Sequence, residues 1–213
     1  MRCLMCGEPI RNDSLEDLFR PEDVLCSRCR SEWKRIDQHS KLNGIPVYVL
    51  YEYNEAFSSC LLQYKECLDE ALKPAFLFPD RNRLKRMYRG MTLLLMPSTR
   101  EKQAERGFSH LAGIFEGLGL PMIEAFEKTA EIDQKGKHRA ERMKLETGIR
   151  LKRDIRLPKR IVLADDVITT GSTIKGALRC LPEGHDVRIF ACAKALSPAE
   201  KKPNHRFLES LFR

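Results

Sequence analysis

Short apolar runs alternate with amphipathic stretches along this chain. The runs lie at Ile45 to Tyr53 (IPVYVLYEY), Met91 to Met96 (MTLLLM), Pro121 to Phe126, Ile161 to Ala164 and Asp186 to Ala193 (DVRIFACA). Runs of this length, rich in β-branched or aromatic residues and bounded by turn residues, predict strands; the unbroken ones predict strands buried on both faces, as in a parallel sheet. Between them, Glu55 to Phe76 carries Phe57, Cys60, Leu61, Tyr64, Leu68 and Leu72 at roughly helical spacing. That stretch predicts a helix, as do Leu111 to Leu118 and Ser172 to Leu181, and a shorter helix is predicted within Pro79 to Gly90, ended by the glycine. Strands alternating with helices predict an α/β fold. Two segments break the pattern. Ile36 to Gly44 is polar and reads as a linker. Lys128 to Leu157 is long, polar and basic, and reads as a loop with a helical part, a length whose uses include a lid.

Composition narrows the class. With 213 residues there is room for one core and a small appendage, and no apolar run approaches the roughly 20 residues of a membrane span. Mean hydropathy is -0.42. The amino-terminal stretch has no long apolar region and no small-residue cleavage site, so a secretion signal is not expected. Eight cysteines in a reducing compartment predict a metal site rather than a disulfide framework. The formal net charge is +8. Residues 135 to 160 alone hold eleven Lys/Arg against three acids, so the surplus of the whole chain is concentrated there. Such a stretch suits phosphate-rich ligands or nucleic acid, and Lys135, Lys137, Arg139, Arg142 and Lys144 are the candidate DNA contacts. Few aromatic residues interleave with it, which argues against sequence-specific readout.

Three constellations carry chemistry. Cys3-Leu-Met-Cys6 and Cys26-Ser-Arg-Cys29 are two C-x2-C pairs whose spacing fits a four-thiolate structural zinc site. Cys60, Cys67, Cys180 and Cys192 show no ligand pattern and read as core packing. In Arg160 to Ile174 (RIVLADDVITTGSTI), an apolar strand ends in Asp165 and Asp166 and leads into Thr169, Thr170, Gly171, Ser172 and Thr173. Those hydroxyls and the amides around Gly171 can wrap a monophosphate, and the two carboxylates can accept from vicinal ribose hydroxyls. No Gly-Lys-Ser/Thr follows, which excludes a Walker P-loop. A second strand end, Ser98-Thr99-Arg100, suits a pyrophosphate. Lys65 reads as an ordinary exposed helix lysine.

LADDVITTGST closely resembles the phosphoribosyl pyrophosphate (PRPP) motif of type I phosphoribosyltransferases. Together with CLMCG and CSRC, Tyr64-Lys65, MPSTR, the RGF at Arg106 to Phe108 and the basic QKGKHRAER at Gln134 to Arg142, it resembles the ComF family over nearly the whole chain. That resemblance implies a four-cysteine zinc-finger module, residues 1–40, joined to a type I phosphoribosyltransferase-like domain, residues 41–213, with a parallel sheet flanked by helices. It implies a role in DNA uptake, with single-stranded DNA and an ATP-driven DEAD-type helicase or translocase as partners. The chain would be cytoplasmic or peripheral to the inner face of the membrane through that partner. Asp165 and Asp166 would hold ribose hydroxyls, residues 169 to 173 the 5-phosphate, Ser98 to Arg100 the pyrophosphate with Mg2+, and Gln134 to Arg142 a flexible hood. The alternative is an active phosphoribosyltransferase acting on a nitrogen acceptor. Three departures from the family stand out: Ser109-His110 replaces the usual Asn-Gln after RGF, no further cysteine pair follows Cys29, and Ala164 stands where larger aliphatics are frequent.

Overall fold

The computed structural model describes residues 1–10, 22–98, 104–105, 107–128, 148–197 and 200. A short helix α1 (Ser27–Ser31) follows the second cysteine pair and leads into strands β1 (Arg35–Leu42) and β2 (Ile45–Glu52). Asn43 and Gly44 join them with φ of 51° and 80°, the left-handed pair that a two-residue hairpin turn requires. Helix α2 (Glu55–Glu66) starts at Asn54, whose side chain accepts the Phe57 amide. The predicted helix does not run on to Phe76. The chain turns at Leu68 (φ 58°) and resumes as a 3-10 segment, Glu70–Phe76. Pro74 lies within that second segment, where its missing amide disfavours an α-helix. Helix α3 (Arg81–Met87), strand β3 (Thr92–Leu95), helix α4 (His110–Glu116), strands β4 (Met122–Ile123), β5 (Phe126–Lys128), β6 (Ile149–Leu151) and β7 (Arg160–Ile168), helix α5 (Ser172–Cys180) and strand β8 (Asp186–Lys194) complete the described chain.

The main sheet has the order β1-β2-β8-β7-β3-β4. All its pairings are parallel except β1 with β2, giving a mixed α/β fold with a mostly parallel sheet flanked by helices. Central β7 buries Ile161, Val162, Leu163 and Ala164 completely, as its unbroken apolar run predicts. The Pro121 to Phe126 run is divided: β4 extends the main sheet, whereas β5 pairs with β6 in a separate antiparallel ribbon. Strand β6 falls inside the stretch read as a loop.

Strand β1 occupies the segment read as linker. It is polar because it is an edge strand with a solvated face, and its charges are used. Arg35 donates two bonds to Asp80, at 2.9 and 2.7 Å, and Arg83 donates to Asp80 at 2.7 Å and Asp37 at 3.0 Å. Tyr48 donates its hydroxyl to Asp37. This network pins the edge to α3 across a register shift between Arg35 and Gln38.

The cysteine-bearing segment shares the core. Cys3, Val24, Leu25 and Trp33 belong to the same buried cluster as the sheet residues. Trp33 packs on Phe57 (4.7 Å between ring centroids) and Tyr51 (5.4 Å). Arg30 lies 4.6 Å over the Trp33 ring, makes a two-pronged bond to Asp23 and donates to the Ala75 carbonyl at 2.8 Å. Of the four other cysteines, Cys60 and Cys192 are buried and Cys180 half-buried, but Cys67 is exposed at the end of α2, outside the core expected for it.

Candidate functional site

Parallel strands β3 and β7 end side by side. The register Leu95 with Ala164, extended by the Met96 amide donating to the Ala164 carbonyl at 3.0 Å, delivers Ser98 beside the acidic pair. Beyond β7 the chain turns at Gly171 (φ 70°) into α5. Thr170 donates its hydroxyl to Ser172 at 3.1 Å and accepts the Ser172 amide at 3.3 Å. The loop hydroxyls of Thr169, Thr170 and Ser172 are exposed, and Thr173 is half-buried. Ser98 therefore joins Asp165, Asp166 and the Thr169–Thr173 loop at one end of the sheet, where open α/β sheets bind ligands. Thr99 and Arg100 lie outside the described residues, as do Lys135, Lys137, Arg139, Arg142, Lys144 and the hood segment containing them.

Asp166 is buried and is the electrostatic centre of the site. Its Oδ2 accepts from Lys65 Nζ and meets His110 Nε2 at 2.9 Å. Burial pushes its carboxyl up, but His110 and Lys65 outweigh that and hold it below the usual carboxylate range. Asp165 goes the other way: burial first, then the charge of Asp166, raise it well above its ordinary value, although it accepts the Asp166 amide at 3.0 Å. The two neighbouring carboxyls are thus shifted in opposite directions. Lys65 is not the exposed helix lysine expected from composition; its side chain is 16% exposed and committed to Asp166. Helix α2 aims it there by burying its neighbour Tyr64, whose hydroxyl donates to the His110 carbonyl at 2.9 Å. The Tyr64 hydroxyl takes the space a Cβ on Gly113 would need. His110 continues the chain of contacts, with Nδ1 3.5 Å from the Ser98 hydroxyl.

A cleft of about 170 Å³ opens next to Ser98 and His110. Leu95, Met96, Phe108 and Phe126 line its floor, and Ser109, Glu124, Glu127, Lys128 and Lys152 its polar parts. Ser109 donates to Glu124 Oε1 at 2.6 Å. Lys65, His110 and Glu124 are the site residues that sequence patterns did not single out. Tyr64-Lys65 and Ser109-His110 were visible as dipeptides, but no spacing rule ties either to Asp166.

At the other end of the chain, the sulfurs of Cys3, Cys6, Cys26 and Cys29 all lie within 4.8 Å of one another. Cys6 and Cys26 are 3.8 Å apart, matching the about 3.8 Å edge of a tetrahedron with metal–sulfur bonds of about 2.3 Å. Burial, then the sulfurs of Cys26, Cys6 and Cys3, hold the Cys29 thiol above its ordinary range. A divalent cation among them reverses that cost, so the four cysteines can bind a metal such as zinc.

Two curated relatives match this chain over most of its length. The competence protein ComFC of Streptococcus pneumoniae is 28% identical over 91% of this chain and 100% of its own length. ComFC of Bacillus subtilis is 26% identical over 85% of this chain and 88% of its own. Both relatives support a resemblance to the ComF family over most of the chain. No family profile matches the chain. Among solved structures, Leishmania donovani UMP synthase superposes with a TM-score of 0.34 at 12% identity, covering 68% of this chain and 34% of the synthase chain. Within the ComF family pattern, this chain's His110 is a contact of Asp166, so the departure at that position falls inside the candidate site. No helix among the described residues is long and apolar enough to cross a membrane.

Proposed function

We propose that this chain is an accessory protein of natural transformation that binds single-stranded DNA and a DEAD-type helicase partner on the cytoplasmic side of the membrane, and carries a PRPP-type ligand pocket. The observation that carries the pocket is the convergence of Ser98, the Asp165-Asp166 pair and the Thr169–Thr173 loop at one end of the sheet. Hydroxyls and helix-start amides suit the 5-phosphate, and a carboxyl pair suits the ribose, with Mg2+ accompanying the pyrophosphate. The competence role is supported by the name of the two relatives and by a type I phosphoribosyltransferase-like reading of the sheet. Zinc is the metal that fits the four cysteines, and its role is structural because all four ligands come from protein. Residues 1–40 would form that module and 41–213 the phosphoribosyltransferase-like domain.

Calorimetry with PRPP and Mg2+ on wild type and Asp166→Asn tests the pocket. Heat in the wild type that falls at least tenfold in affinity in the variant is expected; no heat in either sinks the pocket. For DNA, labelled single strands are titrated at two salt concentrations. Binding through phosphate neutralisation weakens steeply as salt rises, and salt-indifferent binding would sink the electrostatic reading.

A second reading, a phosphoribosyltransferase moving ribose 5-phosphate from PRPP to a nitrogen acceptor with release of pyrophosphate, is favoured by one observation: the cleft beside Ser98 and His110 leaves room for a second ligand. Such chemistry relies on positioning and charge stabilisation, so no covalent nucleophile is required.

A further inference from the structure

We infer that His110 is a proton-linked positioning residue: a proton taken up at its Nδ1 releases the Ser98 hydroxyl to donate to a bound anion. The roles of the two ring nitrogens come first. Nε2 lies 2.9 Å from Asp166 Oδ2, the oxygen that also accepts from the Lys65 ammonium. Burial raises the Asp166 carboxyl, but His110 and Lys65 outweigh it and hold the group below its ordinary range. An oxygen in that state accepts, so Nε2 carries the hydrogen. A neutral imidazole then offers Nδ1 as an acceptor, and the hydroxyl of Ser98 lies 3.5 Å from it.

Protonation reverses that second contact. With Nδ1 bare, Ser98 spends its one hydrogen on the ring and shows the site only oxygen lone pairs. With Nδ1 protonated, the ring donates, the Ser98 oxygen accepts, and the hydroxyl hydrogen is free for a ligand. The switch needs a rotation of that hydroxyl and no movement of the chain. Ser98 lies just past β3, beside the acidic pair of β7, where the PRPP-type reading, on which this inference rests, places the pyrophosphate.

The charges around the ring set the sign. Asp166 on β7 favours a proton on His110, and Lys65 on α2 opposes it. Asp165, also on β7, is shifted upward by burial and then by Asp166. Tyr64 on α2 donates to the His110 carbonyl rather than to the ring. Glu124, Glu127, Lys128 and Lys152 line the same cleft as His110, two acids against two bases. Glu127 is held by Arg150 at 2.8 Å, and Glu124 lies 4.0 Å from Lys152. An anion arriving beside Ser98 adds negative charge and tips this balance toward the imidazolium. Linkage is reciprocal, so the protonated ring binds the anion more tightly, and affinity rises as pH falls through the ordinary histidine range near about 6.5.

The test is calorimetry of the full, zinc-loaded chain with PRPP and Mg2+ at about pH 6 and about pH 8, to either side of the ordinary histidine pKa. Two buffers of different ionisation heat count the protons taken up. The phosphates of the ligand titrate in the same range, so His110→Gln is the reference: it keeps an N–H for Asp166 and cannot take a proton. The ratio of wild-type to variant affinity is expected to grow about tenfold from the higher pH to the lower, the scale of one hydrogen bond to a charged group. Proton uptake on binding is expected to be larger in the wild type. Ser98→Ala, which removes the released hydroxyl, is expected to show the same growing ratio and serves if His110→Gln melts too low. A ratio that is the same at both pH values marks a merely structural role and overturns the inference while leaving the pocket. Inorganic pyrophosphate with Mg2+ is titrated in parallel. Pyrophosphate binding with the growing ratio, but no PRPP binding, keeps the role of His110 and removes the PRPP reading; binding of neither anion overturns both.

Discussion

Lys65 and His110 meet on one oxygen of Asp166, a carboxylate taken out of water. Removing one of the two partners leaves a buried charge only partly compensated, which costs a few kcal/mol. Lys65→Met is therefore expected to lower unfolding free energy by about 3 kcal/mol at pH 7 in urea titrations. The sign with pH follows from the direction of the Asp166 shift. A depressed folded-state pKa contributes stability above the ordinary carboxylate pKa of about 4, and that contribution is lost as pH falls below it. The gap between wild type and Lys65→Met should narrow in acid. Asp165 has the opposite shift, so its linkage contribution is intact below about pH 4 and is lost as pH rises toward its folded value. At pH 7, Asp165→Asn is expected to melt no lower than wild type, and Asp166→Asn clearly lower, in paired thermal scans. The acids were legible in the sequence because adjacent carboxylates at a strand end are conspicuous. Their partners were not, because His110 is fifty-six residues from Asp166 in the chain and Lys65 is farther still. Nothing local marks either residue as a counter-ion.

Loops and edges carry the next level of argument. Gly171 turns left-handed between β7 and α5, and a side chain there costs about 1–2 kcal/mol of backbone strain. Gly171→Ala should lower the melting temperature by a few degrees and weaken PRPP binding in calorimetry, because the strain is relieved by moving the loop amides. At the far side of the sheet, burial raises Asp37, but Arg35, Tyr48 and Arg83 outweigh it and pull it down to about 2. Its contribution to pinning β1 is present above about pH 4 and is lost between there and about pH 2. Acid titration by amide exchange should release β1 amides before those of β7. The alternation of strands and helices was readable from periodicity, and so was β7. Strand β1 was missed because its polar face resembles a linker, although Asn43-Gly44 ahead of an apolar run is a hairpin signal. The division of the long predicted helix at Leu68 was hidden because apolar spacing continues across it, and only Pro74 hints at the change.

Trp33 is a main point at which the cysteine-bearing segment meets the sheet core. Trp33 is the single tryptophan of the chain, and it sits between Arg30, just past the last cysteine of the four-cysteine cluster, and Tyr51 and Phe57 in the sheet core. Stripping the metal should loosen the cysteine-bearing segment and admit water to this ring. A red shift in tryptophan emission on chelation, with a lower melting temperature for the whole chain, is the expected result. An unchanged spectrum after confirmed metal loss would mean that Arg30 and Trp33 hold the segment alone. The four cysteines were legible by spacing; their union with the main core was not, because Trp33 alone does not reveal which rings it will meet.

Gly113 and Tyr64 impose a constraint of another kind. The phenol hydroxyl that reaches the His110 carbonyl fills the space over Gly113, so position 113 cannot gain a side chain while Tyr64 keeps that hydroxyl. Among descendants of this sequence, any side chain at 113 should appear only after residue 64 has lost its hydroxyl, and that order of substitution would leave His110 without its backbone anchor. Positions 64 and 113 are therefore coupled through a bond to the main chain at 110, and that bond places no demand on which side chain residue 110 carries.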